Sequence, residues 1–569
     1  MSYKNFLKAL IISSVLLIFQ GRAFCGKFIP AQPVMSVNEI KAGESGYLLT
    51  VLKGYDRVKI PVKIIDIMPQ KPGIGIKNYI LVKILGDNEL AKGMSGSPVF
   101  VREKIIGAIA IGWDFSDHKL AFVTPVEDMI RIFENQDSLE KNNKPQFTQL
   151  NNFTISGFKK NSAVEKLARS LGTDIDQGIS MPGNLRVNNS ELKPGDAVSA
   201  LLVWGDIEAA ATGTVTLTSV DGKFLAFGHE FLKRGNVHFP SARAKIYETV
   251  NNVSFPFKLG APVEINGVIT QDREAGIGGT LGIYPQSIPV FFVFKDLDRD
   301  IKREFKFRVV NDEFLAPKLL EAVFSGLAEE SWQRKGQGTF KINLRLDGKD
   351  IPNGWTKENI YFSDEDIISG SFSTALNIID VFLTQQFENN NPVGIRINVE
   401  ASEKPRVLII EDIETKKEAS PNEIINVKVK LRLWRGKVIE KNFDLKIPDD
   451  ASGICELIVR GGSVHPLAQT AVEEGFKSID SLERLLTEIK ALDSNNDLIL
   501  ELNTDEIEKA VQNSKNKNNN TGSDENMIPE ENEYLSMTKE RRINEGTLKI
   551  FTSDCFIDGE MKRLIKVIR

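Results

Sequence analysis

The sequence predicts a mainly β protein. Between residues 45 and 123, short runs of apolar and β-branched residues are separated by Gly, Asp and Pro at the spacing of a barrel or sandwich. Residues 340–346 and 427–433 alternate apolar with polar side chains, which is the period of a half-buried strand. Because 569 residues exceed what one core accommodates, we expect three or four globular units.

The first 25 residues have the parts of a secretory signal peptide. Lys4 and Lys8 precede an apolar run over residues 9–19, and small residues follow around residues 23–26. The run is shorter than the roughly 20 apolar residues that a spanning helix needs. We therefore expect cleavage, no membrane span in the mature chain, and export to the periplasm or cell envelope, or into the medium. An alternative is that Cys25 carries a lipid, although residues 22–24 match such a site poorly.

Composition shifts along the chain define six segments. They are a signal peptide (1–25), two β-barrel halves (26–152 and 153–330), a β-sandwich-like and α+β module (331–510), a flexible linker rich in Asn, Lys, Ser and Glu (511–540) and a C-terminal strand segment (541–569). Short helices are predicted over residues 125–133, around Leu319–Leu327 and around Leu482–Leu492, the last capped by Ser478 or Asp480.

Charge and histidine spacing exclude several classes of function. The chain carries 72 basic and 77 acidic residues, interspersed, so no basic face is available for nucleic acid. No two of the four histidines have the spacing of a zinc site, and there is no Cys-x-x-Cys. Residues 276–279 lack a complete phosphate-binding glycine pattern. We predict neither a metal nor a cofactor. Cys455 and Cys555 are the cysteines of the mature chain, and sequence leaves open whether they form a bridge or are two buried thiols.

One turn has the residues that a nucleophilic serine needs. Residues 93–98 read Gly-Met-Ser-Gly-Ser-Pro, in which the glycines permit a tight turn that exposes the Ser95 hydroxyl beside backbone N–H groups. This pattern matches the serine turn of chymotrypsin-like peptidases, and a plain Gly-Ser turn between strands is the alternative. Among possible bases, His229 follows a strand and a glycine, whereas His118 lies in a polar loop and is expected to be solvated; His238 and His465 have no distinctive setting.

Taken together, these regions resemble SpoIVB-type serine peptidases. The likeness joins residues 82–109 around Ser95, residues 210–229 up to His229, and residues 271–278, and so covers most of residues 35–290. In those enzymes the histidine region precedes the serine region, whereas here the order is exchanged. Their PDZ module is not evident in this chain.

The resemblance implies a fold and a set of roles. The fold is a chymotrypsin-like pair of β-barrel halves, followed here by a β-sandwich module and a small α+β region. Ser95 is the implied nucleophile and His229 the general base, with the backbone N–H groups of Gly93 and Ser95 as oxyanion donors. Asp87 is the implied acid, and Asp206 and Asp272 are its rivals.

We therefore expect an exported serine endopeptidase that hydrolyses a protein or peptide substrate. The alternative is a non-catalytic binding or scaffold protein of the cell envelope that keeps the peptidase fold.

Overall fold

The computed structural model describes residues 27–69, 76, 78–134, 148–150, 152–179, 185–188, 190–349, 351–387, 392–464, 479–503 and 535–568. The predicted signal peptide and most of the predicted linker lie outside these residues. The chain forms two compact units. One contains both barrels and ends at Gln286; the other holds Ser287 to the C-terminus, with the short segments Phe158–Leu167 and Gly205–Ile207. No helix among the described residues has the length and apolarity to cross a bilayer.

The first barrel has six antiparallel strands. They are β1 (Ser45–Lys53), β2 (Asp56–Pro69), β3 (Asn78–Ile84), β4 (Pro98–Val101), β5 (Lys104–Gly112) and β6 (Leu120–Pro125). The order is β1-β2-β3-β6-β5-β4, and β4 pairs again with β1, which closes the barrel. A short strand β7 (Thr148–Gln149) pairs with β5.

Alternating side chains fill this barrel. Along β2, Ile60, Val62 and Ile64 are buried, while the residues between them face solvent. The same period along β1 and β3 assembles one apolar core inside the barrel. The strands predicted between residues 45 and 123 are all present, and the predicted helix that follows is a helix α1 (Val126–Ile130) ending in a 3₁₀ turn.

The second barrel repeats this topology. After β8 (Phe153–Ser156), β9 (Asp176–Gln177) and β10 (Arg186–Val187), its strands are β11 (Ala197–Gly205), β12 (Glu208–Thr218), β13 (Lys223–Ala226), β14 (Gly235–Val250), β15 (Phe257–Arg273) and β16 (Gly276–Leu281). The order is β11-β12-β13-β16-β15-β14, and β14 pairs with β11. Counted within each barrel, the cyclic strand order is identical.

The second unit begins with an α+β layer. After helix α2 (Ser162–Leu171), which crosses the boundary between the units, it contains β17 (Ser287–Asp296), β18 (Ile301–Val310), α3 (Leu315–Trp332), β19 (Gly338–Gly348), β20 (Ile351–Ser363), α4 (Ser373–Thr384) and β21 (Pro392–Ser402). Five of its strands are ordered β20-β19-β21-β17-β18. The compact unit that contains the second barrel ends at Gln286, not at the predicted boundary of 330, because β17 pairs on both sides with strands of this layer, β18 and β21.

A β-sandwich follows. Its elements are β22 (Val407–Glu414), β23 (Glu418–Ala419), β24 (Ile424–Leu433), β25 (Val438–Lys446), β26 (Gly453–Gly461), α5 (Leu482–Ala491), β27 (Asp497–Asn503), α6 (Leu535–Glu545), β28 (Leu548–Thr552), β29 (Phe556–Asp558) and β30 (Glu560–Val567). One sheet has the order β25-β24-β22-β29 and the other β23-β30-β26-β27-β28, with a shared apolar core.

Three details of the sandwich region differ from or complete the predictions. The C-terminal strands are integral members of both sheets, and α6 begins inside the predicted linker. The cap of α5 is Ser481, whose hydroxyl accepts from Arg484 N–H, rather than Ser478 or Asp480. Cys455 and Cys555 both pack in the sandwich core, where Cys555 is a free thiol and burial raises its pKa.

The predicted fold class is confirmed: the protein is mainly β, with a pair of barrels, an α+β layer and a sandwich.

Candidate active site

Glycine makes the serine turn possible. Gly93 and Gly96 have φ values of 90° and 89°, in the left-handed region that favours glycine. Ser97 N–H donates to the Met94 carbonyl across the turn. The turn connects the third and fourth strands of the first barrel and holds Ser95 at its middle.

The turn is docked on β12 of the second barrel. Thr214 N–H donates to the Ser95 carbonyl at 2.8 Å, and the Thr214 hydroxyl donates to the Gly93 carbonyl at 3.1 Å. The Thr216 hydroxyl donates to the Gly96 carbonyl at 2.8 Å. Three carbonyls of one turn are thus held by two threonines of one strand, so the two barrels meet at the serine.

The Ser95 hydroxyl lies in the seam between the barrels. The residue is 1% exposed, and its Oγ has no hydrogen-bond partner among the residues that the structure describes. It lies against Gly213 of β12. A Cβ added to Gly213 would lie 3.0 Å from Ser95 Oγ and 2.6 Å from Cδ1 of the Phe227 ring. The hydroxyl is therefore aimed at the second barrel.

The histidine occupies the matching connection of the second barrel, between its third and fourth strands. Phe227 and Gly228 precede it with φ values of 71° and 72°. A left-handed phenylalanine is strained, and such strain clusters at functional sites. The Thr124 hydroxyl of β6 donates to the Gly228 carbonyl at 2.6 Å, so the first barrel also holds this turn.

His229 has the electronic form of a general base. Its Nδ1 lies 2.7 Å from the Glu230 carbonyl, and because a carbonyl only accepts, Nδ1 carries the proton. Nε2 then has a free lone pair, and it is buried with no partner. Burial lowers the pKa of His229, against smaller opposing effects of Glu230. The ring is therefore neutral at neutral pH, with Nε2 able to accept a proton.

Ser95 and His229 are brought to the same seam but are not hydrogen-bonded. Neither Ser95 Oγ nor His229 Nε2 has a partner, so the contact that a productive pair needs is not formed. The backbones of the two turns do touch, since a Cβ on Gly96 would lie 2.4 Å from Phe227 N.

Among the residues that the structure describes, the hydrogen-bond partner of His229 Nδ1 is a main-chain carbonyl and not a carboxylate. The predicted acid, Asp87, is exposed, and the Nδ1 partner is a main-chain carbonyl, so Asp87 does not orient the imidazole in this structure. Asp206 instead accepts from Lys306 N–H at 2.7 Å. Asp272 is buried and accepts from the backbone N–H groups of Phe231, Leu232 and Arg234, so it fixes the loop that follows the histidine.

Replacing Asp272 with alanine is expected to loosen this loop. One buried and two partly buried N–H groups lose their acceptor. Each unsatisfied donor costs about 1 kcal/mol, so we expect a loss of about 3 kcal/mol in unfolding free energy. Urea denaturation and hydrogen exchange over residues 229–234 measure it. Asp206→Ala, which removes the acceptor of Lys306 N–H, is the control and is expected to cost about 1 kcal/mol. Equal losses in the two variants would contradict this role for Asp272.

One predicted oxyanion donor is occupied. Gly93 N–H donates to the Leu150 carbonyl at 3.0 Å, and Leu150 N–H donates to Ala110. The prediction that Gly93 and Ser95 donate together to an oxyanion is therefore not met in this conformation. Gly93 N–H can donate to another acceptor only if the Leu150 carbonyl moves away.

The two other histidines that the structure describes, His118 and His238, have no contact with Ser95 or His229 among the described hydrogen bonds. His118, predicted to be solvated, is 6% exposed and packs against Phe255 with ring centroids 4.5 Å apart. His238 is exposed on β14, and His465 lies outside the described residues.

A buried cation beside the turn was not predicted from the sequence. Lys258, near the start of β15, is 1% exposed, and its Nζ donates to the hydroxyls of Thr50 at 2.8 Å and Thr214 at 3.4 Å. Burial lowers its pKa to about 7. A single lysine in a strand of mixed polarity is normally solvent-facing, so only the closure of the second barrel reveals it.

Comparisons with known proteins return no counterpart for this chain: no protein-family model, no curated protein and no solved structure matches it.

Proposed function

We propose that this protein is an exported serine endopeptidase in which Ser95 is the nucleophile and His229 the general base. The observation that carries the proposal is the pair of orphaned atoms, Ser95 Oγ and His229 Nε2, buried at matching connections of two barrels with the same topology.

Two unsatisfied polar atoms at one seam call for an explanation. A buried donor or acceptor without a partner costs about 1–3 kcal/mol, and native structures contain few of them. A hydroxyl and an unprotonated imidazole nitrogen satisfy each other when they approach. Catalytic hydrogen bonds are commonly long in the free enzyme and shorten when substrate binds.

The chemistry follows from these positions. His229 Nε2 accepts the proton of the Ser95 hydroxyl as Oγ bonds to the peptide carbonyl carbon, and it later returns that proton to the leaving amine. The Glu230 carbonyl keeps the Nδ1 proton in place during both steps, in the position that a carboxylate takes in a triad. The negative oxygen is stabilised by the Ser95 N–H, joined by Gly93 N–H once Leu150 is displaced.

The likeness of the serine and histidine regions to SpoIVB-type peptidases supports the assignment, with their order exchanged. The signal-like N-terminus supports an exported protein of the periplasm or cell envelope. A protein or peptide is the substrate, and no cofactor is required for this mechanism.

A fluorophosphonate probe tests the proposal directly. The purified protein is expected to be labelled at Ser95, as located by mass spectrometry of its peptides, because the probe reacts with a serine that a neighbouring base activates. Ser95→Ala is expected to abolish labelling, and His229→Gln to lower its rate by a factor of about 10² or more.

Ser97→Ala is the matched control, since Ser97 lies in the same turn and its hydroxyl has a partner in Thr214. It is expected to leave labelling at Ser95 intact. Labelling of equal extent in Ser95→Ala would reject Ser95 as the nucleophile.

The second candidate is a non-catalytic binding or scaffold protein of the cell envelope. The absence of a hydrogen bond between Ser95 and His229, together with the carbonyl in place of an acid, favours it. A folded protein that takes up no probe and hydrolyses no protein substrate at any pH would decide for this alternative.

A further inference from the structure

Lys258 is held under the serine turn by its backbone as well as by its side chain. Its N–H donates to the Lys92 carbonyl at 3.0 Å, and its own carbonyl accepts from Asn152 Nδ2 at 2.7 Å. A Cβ added to Gly93 would lie 3.3 Å from both Cβ and Cδ of Lys258. The aliphatic stem therefore packs directly against the turn.

No opposite charge compensates the amine. Among the residues that the structure describes, no carboxylate pairs with Nζ, and burial is the one cause of its lowered pKa. The neighbouring titratable groups are engaged elsewhere: Lys92 pairs with Asp176 at 3.8 Å, and His118 packs on Phe255. Leaving a buried cation unpaired is costly, so a role is needed to account for it.

Thr214 connects the amine to the turn. A threonine hydroxyl has one proton to donate, and here it goes to the Gly93 carbonyl, while the oxygen accepts from Lys258 Nζ and from the Ser97 hydroxyl. A charged lysine can only donate, so it enforces this arrangement. A neutral amine has a lone pair that competes for the Thr214 proton and thereby frees the Gly93 carbonyl.

We propose that Lys258 is a positioning residue for the reaction of Ser95, acting through Thr214 on the serine turn. The inference rests on the proposed peptidase function. The charged amine holds the turn and places a positive charge near the forming oxyanion, whereas the neutral amine does neither.

A specific pH profile follows. The reaction needs neutral His229, so its rate rises as pH increases through the pKa of that histidine. Burial lowers this pKa, and Glu230 partly offsets the lowering. The reaction also needs Lys258 charged, so the rate falls as pH increases through about 7. The pH profile of the rate is bell-shaped, and deprotonation of Lys258 causes the fall on its alkaline side.

The test is the rate of fluorophosphonate labelling of Ser95 against pH in the full chain and three variants. In Lys258→Met and Thr214→Val the alkaline limb is expected to disappear and the maximal rate to fall about tenfold, while the acid limb of His229 is kept. Thr216→Val is the matched control. Its hydroxyl holds the turn at Gly96 without touching the lysine, so this variant is expected to react more slowly at every pH and to retain the alkaline limb.

Hydrogen exchange over residues 90–98 supplies a readout that does not need catalysis. Comparing wild type with Lys258→Met at one pH cancels the intrinsic pH dependence of exchange. We expect the wild-type turn to be better protected than the variant at about pH 6, and the difference to vanish at about pH 9, where the amine is neutral.

The outcomes separate the two proposals. An alkaline limb that survives unchanged in Lys258→Met overturns the role of Lys258. If wild type takes up no probe, the peptidase proposal fails, and hydrogen exchange alone then tests the coupling between Lys258 and the serine turn. Equal protection in wild type and Lys258→Met at about pH 6 overturns this coupling, and loss of protection in the variant supports it. Should Lys258→Met fail to fold, Thr214→Val gives the same comparison.

Discussion

Replacing Gly96 with alanine is expected to disrupt the seam between the barrels and to abolish reaction at Ser95. An added Cβ would lie 1.9 Å from the Thr214 carbonyl oxygen and 2.4 Å from Phe227 N, both backbone atoms that no rotamer change can move. The residue also has φ of 89°, which disfavours alanine. We expect unfolding free energy to fall by about 4 kcal/mol or more, measured by urea denaturation.

Gly222→Ala isolates the backbone contribution. Gly222 has φ of 83° in the turn between β12 and β13, and nothing lies within 4 Å of an added Cβ. Only the left-handed conformation is penalised there, so we expect a loss of about 1 kcal/mol and normal labelling. Similar losses in the two variants would mean that the close approach at Gly96 does not hold the barrels together.

Lys258→Met is expected to stabilise the protein at neutral and acidic pH. In wild type the folded pKa is about 7, against 10.5 for a free lysine. Below about pH 7 the amine is charged in both states, and the folded state bears the full cost of burying that charge. Methionine fills a similar volume without the charge, and removing a buried charge of this kind stabilises by about 1–4 kcal/mol.

The difference is expected to shrink as pH rises. Between the folded and unfolded pKa values the unfolded state binds more protons, so wild-type stability increases with pH by up to about 1.4 kcal/mol per unit. The slope is half of this at the folded pKa, so from about pH 7 to about pH 9 wild type should gain about 2 kcal/mol that Lys258→Met lacks. Denaturation curves at several pH values measure this.

Lys223→Met is the control for this effect. Lys223 is also buried in the second barrel, but its Nζ lies 2.8 Å from Asp221. The substitution leaves that carboxylate without its partner, so it is expected to destabilise rather than stabilise. A Lys258→Met variant with the pH dependence of wild type would show that the buried amine is not the group that titrates.

Local pattern was enough to predict most of the strands. Alternation in Ile60, Val62 and Ile64 required only the two-residue period of a sheet, and the stripe in α3 required only the helical period. Barrel closure was inferred by resemblance, because the pairings of β4 with β1 and of β14 with β11 join residues far apart in the chain. For the same reason the sequence did not indicate the division of the compact units at Gln286, because β17 and β18 look alike in sequence whichever sheet they join.

The sequence indicated which connections hold Ser95 and His229, but it did not indicate the hydrogen-bond partners of the imidazole. Glycine-containing turns are visible in the sequence and mark connections between strands, so the positions of Ser95 and His229 in such connections could be predicted. Asp87 was predicted as the acid from its position along the chain, but Nδ1 of the imidazole donates to the main-chain carbonyl of Glu230. Every residue type has such a carbonyl, so the sequence does not reveal this partner. Thr214 and Lys258 gave no signal, because a threonine and a lysine in a strand become notable only after the barrels dock.

The shared strand order of the two barrels bears on how the motifs are arranged along the chain. Each barrel offers an equivalent connection between its third and fourth strands, and one holds the serine while the other holds the histidine. Because each motif lies in a connection within its own barrel, the order of the two barrels along the chain does not decide what faces the seam. The order of the serine and histidine motifs in the sequence is therefore a matter of chain connectivity alone. Whether two motifs meet depends on which connection of its barrel each motif occupies. A search for such sites should therefore compare these connections and not the order of the motifs in the sequence.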